Sequence, residues 1–162
     1  MTVRPFRAQD VPGLAALLDA IEVFTAEERR VALEIIDLAA AQPDQRDYVI
    51  GVVEDGAGGL AGYACYGPTP LTDGTCDLYW MAVAPGCRRR KYGQDLIGWV
   101  EDGVRQSGGR LIVVETSSQE KYAGTRSFYA RMGYEAAARI RDYYRAGDDL
   151  VIFRKSLIGE GA

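Results

Sequence analysis

Between Cys76 and Thr116 the hydrophobic period changes twice, and few folds accommodate such a change. CDLYWMAV is an apolar run of strand length. Gly93 to Gln106 then places Leu96, Ile97, Val100 and Val104 at helical spacing. RLIVVET returns to a nearly continuous apolar run, as expected of a strand covered on both faces. The alternation continues outward in both directions. TVRPF reads as a short strand, after which Asp10 is expected to cap a helix with Pro12 in its first turn, running through LAALLDAI. Thr25 and Glu28 form a T-x-x-E capping box ahead of RRVALEIIDLAAA, a second helix ended near Pro43. DYVIGVVED and LAGYACYGP read as two strands joined by the turn DGAGG. Towards the C-terminus, TRSFYARMG makes a shorter helix closed by Gly133, and YEAAARIRDYY and DLVIFRKSL flank AGDD as a closing hairpin. The order β-α-α-β-β-β-α-β-α-β-β defines an α/β fold with a mixed central sheet flanked by helices. No linker, repeat or low-complexity segment interrupts it, so residues 1–162 are expected to form a single domain.

Composition excludes several function classes. The chain has no histidine, which removes Ser-His-Asp and Cys-His machinery and most zinc or non-haem iron sites. Cys65, Cys76 and Cys87 are odd in number and form no C-x-x-C pair, so neither a disulfide framework nor a metal site is expected. A net charge of −4 argues against a surface built for nucleic acid. No apolar stretch approaches the roughly 18 residues of a membrane span. MTVRPFRAQD carries no apolar signal core, so the expected location is cytoplasmic. Chemistry has to come from carboxylates, tyrosines, lysines or the backbone.

One stretch runs against the acidic balance. VAPGCRRRKYGQ sets Arg88, Arg89, Arg90 and Lys91 in a row between an apolar strand and the first turn of a helix. Three readings compete: a solvated cluster, a nucleic-acid patch, or the rim of a site for a small polyanion. A nucleic-acid patch would interleave aromatics, and this one does not. At a helix N-terminus, unpaired N–H groups and the dipole favour an anion, to which the basic side chains add. The stretch has neither G-x-G-x-x-G nor a Walker loop.

AVAPGCRRRKYGQDLI resembles the acetyl-CoA signature of the GNAT N-acetyltransferases, a strand running into R/Q-x-x-G-x-G/A and then a helix. The resemblance places Arg88 first and Gly93 last, and the element order matches that fold over nearly the whole chain. TRSFYARMGY is similar to the family's later helix motif. The resemblance implies an acetyl-CoA-dependent N-acetyltransferase acting on a small amine or a polypeptide N-terminal amine, with a homodimer as one assembly. It implies cofactor contacts from the backbone of Met81, Ala82 and Val83, from Arg88, Arg89, Arg90, Lys91, Tyr92, Gly93 and Gln94, and from Tyr122 and Thr125. Lys91 stands where the family has its first glycine, and Tyr122 and Thr125 where many members carry asparagine and alanine. A non-catalytic acyl-CoA-binding or sensor module is the alternative that these departures raise.

Moving an acetyl group from a thioester to an amine needs a proton acceptor for the ammonium and a proton for the departing thiolate. Tyr129 resembles the tyrosine that family members place near the thioester sulfur, with aromatic packing as its structural alternative. For the base, Asp77 and Glu115 both match positions where members place a carboxylate, and water alone is a third option. RIRDYYRAGDDLVIF slightly resembles members that acetylate protein N-terminal amines, which implies an amine site lined by Tyr143, Tyr144, Asp148 and Asp149; the simpler reading is a hairpin turn using Gly147 and Asp148. Glu22, Glu27 and Glu28 lie where this fold frames its acceptor entrance.

Overall fold

The computed structural model describes residues 3–87 and 90–159. Its strands are β1 (Val3–Pro5), β2 (Val49–Glu54), β3 (Leu60–Pro68), β4 (Thr75–Val83), β5 (Leu111–Ser117), β6 (Glu135–Arg145) and β7 (Asp148–Ser156). Its helices are α1 (Val11–Asp19), α2 (Ala26–Ala41), α3 (Tyr92–Gln106) and α4 (Ala123–Arg131). The order matches the one the hydrophobic periods predict. The sheet is mixed, in the order β1-β2-β3-β4-β5-β7-β6. Contacts gather in two compact units: one runs to Gly67 and resumes over Tyr79–Gly103, the other takes Pro68–Leu78 and the described residues from Val104 on.

In the first unit, α1 and α2 deliver Leu14, Leu17, Leu18, Ala32 and Ile36 onto a sheet face made by Ile50, Val52, Tyr63, Cys65 and Ala82. The capping box starts α2: Thr25 Oγ1 accepts the Glu28 N–H at 3.1 Å, and Glu28 Oε2 accepts the Thr25 N–H at 2.7 Å. α3 also packs closely on this unit's strands. A Cβ on Gly51 would lie 2.6 Å from the Trp99 ring, so only glycine allows that approach.

Asp10 departs from the expectation. It lies in a short 3-10 turn and makes no side-chain cap to α1. Instead it accepts Arg4 Nη1 and Nη2 at 2.8 and 2.9 Å and the Arg7 N–H at 2.8 Å. A guanidinium that matches both carboxylate oxygens outcompetes a single helix amide. Helix α1 also stops at Asp19, short of the predicted Ile21.

In the second unit, β5 pairs in parallel with the start of β4, Thr75↔Leu111 to Asp77↔Val113, and antiparallel with β7 along its whole length. β5 is not covered on both faces as expected. Ile112, Val114 and Thr116 are buried, whereas Leu111 and Val113 are half-buried and Glu115 is exposed. Helix α4 ends at Arg131, and Gly133 supplies the left-handed residue (φ 82°) that turns the chain into β6. β6 is an edge strand, exposed from end to end. Its pairing with β7 slips at Ala136/Ala138 and again between Ile140 and Arg145.

Candidate active site

The first unit carries the basic loop. β4 runs to Val83, a short turn follows at Pro85–Cys87, and α3 opens at Tyr92. Arg88 and Arg89, both expected phosphate contacts, lie outside the described residues. Arg90 and Lys91 are exposed, Tyr92 is buried, Gly93 is half-buried and Gln94 is exposed. The Lys91 carbonyl accepts the Asp95 N–H at 2.9 Å, so Lys91 caps the helix and leaves the N–H groups of Tyr92, Gly93 and Gln94 without intrahelical acceptors.

Lys91 has φ of 65°. That is the left-handed region that glycine enters freely and an L-residue enters at a cost of roughly 1 kcal/mol. The lysine therefore adopts a backbone form that a glycine at this position would enter freely. The backbone of Met81 to Val83 ends β4, with Ala82 buried and its two neighbours half-buried. Beside it the Ala84 N–H reaches back to the Ala61 carbonyl at 2.8 Å, tying the strand end to β3.

The second unit carries the candidate acid and both candidate bases. Tyr129 is buried on α4, its ring packed by Phe128, Tyr134 and Phe153 at centroid distances of 5.6, 5.6 and 5.9 Å. Burial alone pushes its phenol well above the ordinary tyrosine range, which keeps it protonated at neutral pH. Asp77 is half-buried inside the β4–β5 ladder, and its Oδ2 accepts Thr69 Oγ1 at 2.7 Å. Glu115 is exposed near the C-terminal end of β5, opposite Ile152 of β7. Tyr122 is buried in a 3-10 turn before α4, and Thr125 is half-buried in that helix's first turn.

Several organising residues escaped the sequence. Arg126 closes the β5–α4 connection, its Nη1 donating to the carbonyls of Ser117 and Gln119 at 2.7 and 2.9 Å. Asp148 and Asp149 are buried rather than poised for an incoming cation. Ser117 Oγ donates to Asp148, and Asp149 accepts the Asp142 N–H at 2.9 Å and Arg139 Nε at 2.6 Å. The Asp142 amide, then Arg139, hold the Asp149 carboxyl below the usual range. The turn itself is Ala146–Gly147, with Gly147 at φ 80°. Among the described residues no cluster of potential metal ligands forms, and no helix is long and apolar enough to cross a membrane.

A strand that leads through a basic loop to a left-handed residue at a helix N-terminus, in this element order, can be set beside known families. The model for the acetyltransferase (GNAT) family matches residues 14–134, and the chain belongs to that family. A GNAT-family protein from Desulfovibrio desulfuricans is 42% identical, covers 97% of this chain and 99% of its own, and superposes with a TM-score of 0.91. The ribosomal-protein-S18-alanine N-acetyltransferase of Escherichia coli is 18% identical over 99% of this chain and 97% of its own, with a TM-score of 0.74. A Salmonella typhimurium protein whose structure contains its cofactor acetyl-CoA is 20% identical over 100% and 96%, with a TM-score of 0.76. The last two likenesses concern the fold alone. No curated protein matches the chain.

Proposed function

We propose that this acetyltransferase moves an acetyl group from acetyl-CoA to a primary amine by direct attack on the thioester. The observation that carries the reading is Lys91 at φ 65°, immediately before a helix whose first three N–H groups lack intrahelical partners. A pyrophosphate fits that chemistry, because backbone donors, the helix dipole and the exposed Arg90 and Lys91 all favour an anion. The backbone of Met81 to Val83 would pair with the pantetheine arm as an added strand. The β4–β5 ladder supports this, since it spans only the first three residues of β4.

In the reaction the amine nitrogen attacks the acetyl carbonyl carbon. A C–N bond forms, the C–S bond breaks, the nitrogen gives up a proton and the sulfur takes one. Approximating two bound reactants supplies much of the rate, and no covalent enzyme intermediate is needed. Tyr129, protonated at neutral pH, donates to the leaving thiolate. Glu115 receives the amine proton, directly or through water. It is preferred over Asp77 because it is exposed near the C-terminal end of its strand, where ligands of α/β sheets bind. Asp77 is engaged by Thr69 within the ladder.

The test is release of free CoA from acetyl-CoA across a panel of small amines and short peptides, alongside thermal melting with CoA. A raised Tm with turnover of at least one amine is expected. A raised Tm without turnover on any amine would instead support a non-catalytic acyl-CoA-binding module, and no shift at millimolar CoA removes the cofactor assignment.

A further inference from the structure

We infer that the acceptor is a primary amine bearing an aromatic ring or a similarly bulky apolar group, held against Trp80 and Phe24. The inference rests on the acetyl-transfer reading above and concerns the acceptor side of the same site.

Cys76, Leu78, Trp80 and Ala82 alternate onto one face of β4. Leu78 and Ala82 are buried, at 4% and 7% exposure, yet the larger indole between them is only partly covered. It packs at the margin of the core cluster, one residue before the Met81–Val83 segment assigned to the pantetheine arm. A group standing on Trp80 is therefore next to the reacting end of the cofactor.

Phe24 comes from the turn between α1 and α2, immediately before the Thr25 cap. It meets Trp80 edge-on, with ring centroids 5.5 Å apart and planes at 80°. Phe24 is itself half-buried, as is Val23 beside it. Edge-to-face geometry is favourable for the pair, and because both residues are only half-buried it leaves ring surface available to a third apolar group. The approach is acidic on one side. Glu22, exposed next to Val23, has no ion pair among the described residues. An ammonium group is attracted there, and an apolar ring is accepted by the pair beyond it. A small hydrophilic amine would gain from the first feature only.

The experiment compares 2-phenylethylamine with ethanolamine, and a peptide beginning with Phe with the same peptide beginning with Gly, by CoA release at saturating acetyl-CoA. The two arms separate a free amine from a peptide terminus. In at least one arm the ring-bearing acceptor should be favoured roughly 10–100-fold in kcat/KM, the scale of a filled apolar pocket. Trp80→Leu and Phe24→Leu should each reduce that ratio at least threefold, on protein whose CoA-induced Tm shift is intact. Should Trp80→Leu fail to fold, Phe24→Leu carries the test, together with competitive inhibition of the wild-type protein by 2-phenylethanol against the amine. Ratios near one in both arms, or a preference that survives substitution of the wall, overturn the inference and leave acetyl transfer standing. Absence of turnover on every amine, with or without CoA binding, overturns both readings.

Discussion

Thr69 Oγ1 donates to Asp77 Oδ2 at 2.7 Å, tying the loop after β3 to the first residues of β4. The bond gives Asp77 a structural task and separates it from Glu115, the other candidate base. Glu115→Gln should therefore lower kcat by roughly 10²–10³, within the range of a positioned base, while leaving the Tm nearly unchanged. Asp77→Asn should do the reverse, costing stability by about 1 kcal/mol with a small effect on kcat. Steady-state kinetics and urea unfolding on the two variants decide it, and a kcat loss confined to Asp77→Asn would reassign the base.

Lys91 spends conformational energy on its left-handed backbone. Lys91→Gly relieves that cost and should stabilise the unliganded protein by about 1 kcal/mol, less the extra entropy that glycine brings to the unfolded chain. The same change removes an exposed ammonium next to the α3 N-terminus. CoA affinity should fall severalfold at low salt and by less at high salt, because an exposed charge is screened. Titrations at two ionic strengths measure this. An affinity that is unchanged at low salt would mean the side chain points away from the phosphates.

What the sequence discloses and what it hides divides along interaction range. Thr25 and Glu28 are legible because a capping box is written within four consecutive residues. Gly133 is legible for the same reason, whereas the left-handed backbone of Lys91 is not, because lysine carries no local signal for it. Asp10 is not, because its partner Arg4 is brought to it by β1, and Arg4 is in turn held by Glu54, fifty residues away. The Thr69–Asp77 bond depends on how the chain returns from β3 into β4. Asp148 and Asp149 read as exposed turn charges, yet the irregular pairing of β6 buries both against Ser117, Arg139 and the Asp142 amide. Trp80 and Phe24 are separated by two strands in the sequence, and no local pattern joins them.

The Arg4–Asp10 pair makes a pH prediction. Hydrogen bonding from Arg4 holds the Asp10 carboxyl below its ordinary value in the folded protein. A group with a depressed folded pKa contributes its stabilisation fully above its unfolded value of about 4, and loses it as pH falls through the folded value. Asp10→Asn should thus destabilise the protein at pH 7 by about 2 kcal/mol, the scale of a charge-assisted hydrogen bond. The difference from wild type should shrink steadily below pH 4. Urea unfolding at a series of pH values tests the sign, and a gap that widens on acidification contradicts it.

Tyr129 carries the mechanistic claim, and its surroundings make a clean substitution available. Three aromatic side chains fix the ring, so Tyr129→Phe keeps the packing and deletes only the hydroxyl. Folding stability and CoA affinity should change little. Because burial raises the phenol's pKa, the hydroxyl remains an acid throughout the neutral range and supplies no ionisation of its own to the pH profile there. If it protonates the leaving thiolate, kcat should fall by roughly 10²–10⁴, and the KM for acetyl-CoA should move far less, since the proton is required in the transition state and not on binding. The loss should also ease with an acyl donor whose thiol has a lower pKa, because a better leaving group needs less help from an acid. A kcat within threefold of wild type, with chemistry shown to limit the rate, would falsify the assignment and leave the ring as packing, with water as the acid.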